Sequence, residues 1–293
     1  MAEFYLSAFA DEAGATLDEQ IAALKANGIK FIEPRCIDGK NIIDIPEAEL
    51  KEIYEKLFAN GIKVSSLGSP IGKFSIDDNF DEHLKAFEKA IRACKILKTD
   101  KMRMFSFYVS QENLTEKRDE VIRRLNVMAK IAAEAGITLC HENESLIYGQ
   151  MPAEVEDVIK NVPGLKAVFD AANYRMNNAD VYEGINATLI NLGYMHIKDA
   201  IFESQMIVPA GEGEGKIGEI IDIVNEKCDF PVYLSLEPHL FGFAAYQLID
   251  SHELKGKYTY SCGREAFDAA ANSLKKVLTD YGYKEECVGK WIK

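Results

Sequence analysis

The chain has 293 residues, and 34 lysines and arginines against 47 aspartates and glutamates give a formal charge of −13. That length can bury one large core without staples, and 47% hydrophobic with 28% charged residues excludes disorder as the main state. The acidic balance repels phosphate backbones, so nucleic acid is not expected as a partner.

The first apolar, β-rich run is EFYLSAF (3–9), after which Thr16 and Glu19 form a capping-box pattern that opens a helix. Gly28 stops that helix before KFIEP (30–34), and Pro46 suits the first turn of the next helix, which Gly61 ends. IKVSSLG (62–68) follows as the third strand. Leu84, Phe87, Ala90, Ile91, Cys94 and Leu97 then recur at helical spacing. KMRMFSF (101–107) is the fourth strand, with Met102 and Met104 expected as barrel filling. Val121, Ile122, Leu125, Met128, Ile131 and Ala132 mark the fourth helix, closed by Gly136. ITLCHE (137–142), LKAVFD (165–170), YMHIKD (194–199) and PVYLSLE (231–237) complete eight short runs bounded by turn residues. Before the last helix, 238–262 is long for a connection and rich in aromatics, as functional loops often are.

Strands separated by amphipathic helices imply parallel pairing with right-handed crossovers. Eight such units predict an α/β fold of the (β/α)8 TIM-barrel kind, one domain over 1–293. An open doubly wound sheet is the alternative, but no G-x-G-x-x-G follows the first strand. No linker or composition shift divides the chain. No run of ~18 apolar residues could span a membrane, and the acidic N-terminus lacks a signal peptide's basic region. The six cysteines (36, 94, 140, 228, 262 and 287) show no C-x-x-C spacing. Reduced thiols in a cytoplasmic protein are the expectation.

In such barrels the active site gathers at the carboxyl ends of the strands. Strand five ends in Glu142, strand six in Asp170 and strand eight in Glu237, while strand seven contains His196. Pointing into one cavity, these groups would repel one another or lose ionisation unless a cation neutralised them. One divalent ion is therefore expected. Oxygen-rich ligation favours Mn²⁺ or Mg²⁺, and the imidazole also admits Co²⁺ or Zn²⁺. The alternative is that acidic strand ends merely cap helices or face solvent.

The segments LCHENE, VFDAANY, MHIKDA, VPAGEGEG and LSLEPHL, with IEPR and VSSLGSPIGKF before them, resemble the xylose-isomerase-like barrel superfamily over essentially the whole chain. That superfamily includes sugar and sugar-phosphate isomerases and epimerases, inosose dehydratases and apurinic-site endonucleases. The resemblance implies a metal quartet of Glu142, Asp170, His196 and Glu237. It also implies that Glu142 and Glu237 exchange protons with a substrate carbon from opposite faces, through an enediolate that the metal stabilises.

The sequence also departs from the family. The endonuclease branch has a His where Asn173 stands, and it needs more histidines than the five present. His83 falls in a helix pattern, His252 in a loop, and His141 has the wrong strand parity to share the direction of Glu142. No Arg occurs between His196 and Lys216, where epimerases often carry a substrate clamp. Lys198 shares the direction of His196 and either holds a substrate oxygen or phosphate or pairs with an acidic neighbour such as Asp199. Arg35, Lys73 and Arg103 face the quartet and together would suit a phosphate or carboxylate, although each alone reads as a surface or helix-paired cation. Glu33 either contacts substrate, orients a ligand or pairs with Arg35 or Arg103.

GEGEG (211–215) carries two glutamates that would repel phosphate, so it reads as a structural loop closing over the site. His239, Phe241, Phe243 and Tyr246 read as an apolar wall or lid, or as packing. Ser66 and Ser106 lack the G-x-S-x-G elbow of a hydrolase nucleophile. Together these features predict a metal-dependent isomerase or epimerase of a sugar, ketose or sugar-phosphate, acting on a small carbohydrate or polyol with neither nucleic acid nor membrane as partner, and possibly a homo-oligomer. The alternatives are a lyase of the inosose-dehydratase type and a barrel that binds a sugar acid or phosphate without turnover.

Overall fold

A computed structural model describes residues 1–242 and 256–293; Phe243, Tyr246 and His252 lie outside them. All eight expected strands form. They are β1 (Glu3–Ala8), β2 (Phe31–Ile32), β3 in two pieces (Lys63–Val64 and Leu67–Gly68), β4 (Lys101–Met104), β5 (Thr138–Glu142), β6 (Lys166–Asp170), β7 (Leu192–Ile197) and β8 (Pro231–Leu236). The helices between them are α1 (Leu17–Ala26), α2 (Glu47–Ala59), α3 (Phe80–Leu97), α4 (Leu114–Glu134), α5 (Pro152–Asn161), α6 (Ala171–Met176), α7 (Val181–Thr188), α8 (Ile217–Lys227) and α9 (Gly263–Asp280). The sixth unit uses two short helices, α6 and α7. A last pair of strands, β9 (Lys284–Cys287) and β10 (Lys290–Ile292), was not anticipated.

The ring closes through parallel ladders. β1 runs beside β8 from Glu3↔Pro231 to Ala8↔Leu236, and β8, β7, β6, β5, β4 and the second piece of β3 follow as successive neighbours. The first piece of β3 pairs with β2, and the Glu33 amide donates to Ala8 O at 2.9 Å to join β2 to β1. β2 is only two residues long, so the first half of β1 needs another partner. β10 supplies it, running antiparallel with Phe4 opposite Trp291, and the Leu6 amide donates to Gly289 O. The C-terminal hairpin thus satisfies backbone groups that would otherwise be exposed at the seam.

Local chemistry explains the element ends. The Thr16–Glu19 capping box forms as expected, with each residue accepting a hydrogen bond from the other's backbone amide. Pro46 sits one residue before α2 rather than inside its first turn. Gly28, Gly61 and Gly136 all have positive φ after their helices.

Alternation along the strands makes the layers of the barrel. Cys140, Val168 and Tyr194 form one inner cluster with Tyr233 packed against it. Each of the first three lies two residues before a candidate ligand, so the ligands form the next layer towards the carboxyl face. Met102 and Met104 are fully buried, but Arg103 between them takes the inward direction, so they pack on the helix side of the strand rather than fill the barrel as expected.

Candidate metal centre

Glu142 and Asp170 end β5 and β6, His196 lies one residue before the end of β7, and Glu237 directly follows β8. All four are buried, and one ligand atom from each lies within 4.8 Å of the others. Metal–ligand bonds of roughly 2.0–2.3 Å place opposed donors about 4–4.6 Å apart. Small side-chain adjustments would close this set on one ion.

The imidazole is aimed from behind. His196 Nδ1 faces Glu142 Oε1 at 2.9 Å and Glu237 Oε2 at 3.2 Å, while Nε2 meets Glu33 Oε2 at 3.2 Å. Glu33, fully buried, also accepts from Tyr194 OH at 2.6 Å and Ser235 Oγ at 2.7 Å. Its carboxylate is fixed by three residues of β7 and β8, in the ligand–His–carboxylate order that sets which ring nitrogen is offered to a metal.

Asp170 is fixed differently. Asn143 exchanges two hydrogen bonds with its backbone, both 2.9 Å, and Asp170 Oδ1 accepts from the Asn173 amide to cap α6. Oδ2, buried, accepts no hydrogen bond and has the Lys198 ammonium at 3.1 Å as its ion contact. A buried carboxylate oxygen compensated by this ammonium alone, and turned to two other carboxylates and an imidazole, fits a divalent cation.

The protonation states reflect the same competition. Burial raises the Glu142 carboxyl, but His196 and Arg103 outweigh burial and Glu237 to hold it at about 2. Glu237 is likewise raised by burial and then held well below its ordinary range by Lys198 and His196. Burial prevails at Asp170, which is pushed up to about 7 although Lys198 opposes the shift. Burial lowers His196, but Glu142, Glu33 and Glu237 raise it well above the ordinary histidine value.

The cations expected as a phosphate clamp are all engaged by carboxylates. Arg103 Nη1 binds Glu142 Oε2 at 2.9 Å. Arg35 makes a two-pronged pair with Asp11, both contacts 3.0 Å, and reaches Glu12 and Glu237 at 3.2 Å each. Lys73 pairs with Glu144 at 3.0 Å and lies over the Phe105 ring. Lys198 points inward, but it meets Asp170 and Glu237 at 3.1 and 3.4 Å rather than Asp199. Asp199 instead accepts from the amides of Ala200, Gly211, Gly213 and Gly215. GEGEG therefore folds around the chain's own carboxylate, and a Cβ on Gly215 would meet Asp199 Oδ1 at 2.8 Å.

Asp11 and Glu12 were missed. They lie three and four residues past β1, in a short 3-10 turn over Ala10–Glu12, so a census of the loop after the first strand would have found them. His239, expected in an apolar wall, lies in the polar ring, with Nε2 at 3.5 Å from both Glu12 Oε1 and Glu237 Oε1. Phe241 lines a cavity of about 160 Å³ beside Asp11, Glu12, Ala13, Ala15 and Cys36. His141 turns away from the site to Ser106 Oγ at 2.8 Å, and Ser66 Oγ meets Tyr194 OH at 3.2 Å.

Residues 21–253 match a protein family described as the xylose isomerase-like TIM barrel. A comparison with curated protein sequences finds no significant match. Among solved structures, the chain is similar to the probable 3-DHS dehydratase AsbF of Bacillus anthracis, at 15% identity and TM-score 0.71 over 94% of this chain and 99% of that one. It is similar to D-psicose 3-epimerase of Clostridium cellulolyticum, solved with D-tagatose, at 15% identity and TM-score 0.69 over 94% and 98%. The IOLI protein with a bound zinc atom matches at 14% identity and TM-score 0.71 over 94% and 99%. At these identities the likeness is one of fold.

Proposed function

From the premise that the chain belongs to the xylose isomerase-like TIM barrel family, we propose that it is a divalent-metal-dependent isomerase or epimerase of a sugar or related ketose. Glu142, Asp170, His196 and Glu237 would hold the ion, whose chemistry when bound is to polarise a substrate carbonyl and its neighbouring hydroxyl. The observation that carries this reading is a symmetry between Glu142 and Glu237. Each has one oxygen braced by a buried arginine, Arg103 for Glu142 and Arg35 for Glu237, and the other turned to His196 Nδ1.

Bracing fixes where each carboxylate can take or return a proton. In the substrate complex one of the pair is ionised and the other carries a proton. The ionised carboxylate removes the proton beside the carbonyl from one face, and the protonated one returns its own from the other face. The two glutamates exchange protonation states over the turnover. The arginines fix the direction of both carboxylates, and Glu33 keeps the imidazole oriented. Burial of every participant excludes water from the carbon that loses its proton.

Incubation of a ketose panel with the Mn²⁺-loaded protein in heavy water tests this. Deuterium is expected at the carbon beside the carbonyl, with loss of exchange in both Glu142→Gln and Glu237→Gln. Elimination of water instead of exchange would favour the dehydratase reading. Binding without either reaction would leave a non-catalytic barrel.

A further inference from the structure

Resting on the reading of Glu142 and Glu237 as the acid/base pair, we infer that Phe9 is the positioning residue of that pair, one ring that seats both arginines bracing the two carboxylates. Phe9 directly follows β1 and is fully buried, and its amide donates to Leu236 O at 2.9 Å, which sets it beside Glu237. Arg35 Cζ lies over the ring at 4.3 Å from its centre and Arg103 Cζ at 5.1 Å. The His196 ring meets it edge-on at 5.1 Å. A guanidinium within about 6 Å of an aromatic centre is attracted by the negative face of the ring. One apolar side chain therefore holds together two cations that would otherwise repel each other.

Arg103 depends on this contact most. Among the described residues it makes one side-chain hydrogen bond, from Nη1 to Glu142 Oε2 at 2.9 Å, and its buried Nε has no hydrogen-bond partner. A single bond leaves the planar guanidinium free to turn about it, and the rings of Phe9 and Phe105 fix its plane. Arg35 is gripped by Asp11 and Glu12 as well as Glu237, and Phe9 is the surface on which its fork packs.

Gly68, at the end of β3, points the same way independently. Its φ lies outside the left-handed region, so its backbone does not call for glycine. A Cβ there would stand 2.5 Å from Phe9 Cε1 and 3.3 Å from Arg35 Cβ. What this glycine supplies is room for one ring and one arginine in their present places.

Three proteins test this against the native chain: Phe9→Leu, Gly68→Ala, and the chain with pentafluorophenylalanine in place of Phe9. The fluorinated ring keeps the shape of Phe9 but reverses the charge of its face, which separates the hold on the cations from packing. Deuterium uptake from heavy water by D-fructose, D-tagatose and L-ribulose is followed with the Mn²⁺-loaded proteins. In all three variants kcat is expected to fall at least about tenfold with KM within about threefold, because misdirected carboxylates slow proton transfer rather than binding. Gly68→Ala added to Phe9→Leu is expected to cost less than about twofold more, since the ring it would strike is gone. In the metal-free proteins, solvent exchange of the Nε protons of Arg35 and Arg103, read by NMR, is expected to quicken at least about tenfold in each variant. Native kcat with the fluorinated ring, or arginine protons that exchange there at the native rate, would overturn the inference. A native protein that moves no deuterium removes the acid/base reading instead, and the arginine exchange rates then decide alone whether Phe9 seats the two guanidiniums.

Discussion

Glu33 and His196 show how one residue pair can decide what a metal centre offers. Both oxygens of Glu33 are occupied, one by Tyr194 and the other by Ser235 and His196 Nε2, so it has little left for a substrate. Its work is to hold the ring so that Nδ1 faces the carboxylates. Glu33→Gln keeps the volume but removes the charge behind the imidazole. Mn²⁺ affinity should fall by roughly 10–100-fold, measured by competition with a chelator, while the thermal transition of the metal-free protein stays cooperative. At this scale the four ligand candidates were legible because their strand-end positions are visible in the sequence. Their partners were not. Arg35 reaches Glu237 across 202 positions and Asp11 across 24, and no local pattern encodes such pairings. The sequence leaves Glu33 open between contacting substrate, orienting a ligand and pairing with Arg35 or Arg103, and only the contacts of both its oxygens separate the three.

Elements tell a similar story with a different cause. All eight strands and the long helices α3 and α4 were readable, because alternation and 3.6-residue spacing reflect burial directly. β9 and β10 were not, since KEEC is exposed at every position and gives no apolar period to find. The loop at 209–216 could be read as structural but not explained, because its organising residue, Asp199, lies on the preceding segment. Replacement of Asp199 by Ala leaves the amides of Gly211, Gly213 and Gly215 without their acceptor. A loss of about 2–4 kcal/mol in unfolding free energy is expected, with faster amide exchange across 211–215. Asp199→Asn should recover part of it by retaining one acceptor oxygen.

At the scale of the whole molecule, the described residues close into one barrel whose candidate ligands share a single face, and no helix among them is long and apolar enough to cross a membrane. The barrel also stores a pH dependence away from that face. His83 on α3 stacks on Phe74 at 4.8 Å and meets Phe107 edge-on at 5.4 Å, and Nε2 has no hydrogen-bond partner. Burial, with the Arg124 guanidinium nearby, lowers its pKa from 6.5 to about 4. Between those values the unfolded chain holds a proton that the folded chain does not, so this group makes stability rise with pH through the window and adds nothing above it. Relative to the native chain, His83→Gln should therefore be more favourable at pH 4.5 than at pH 7.5, by on the order of 2–3 kcal/mol, in urea unfolding at both pH values. An unchanged difference between the two pH values would show that His83 protonates freely in the folded state.

The account turns on the ends of β5, β6, β7 and β8 acting as one cation site. Elemental analysis of the protein after Mn²⁺ loading and dialysis addresses it most directly, in the native chain and in Asp170→Ala. About one ion per chain is expected for the native protein, with almost none retained by the variant. A native protein that emerges free of metal, or a variant that keeps its full complement, would contradict the assignment.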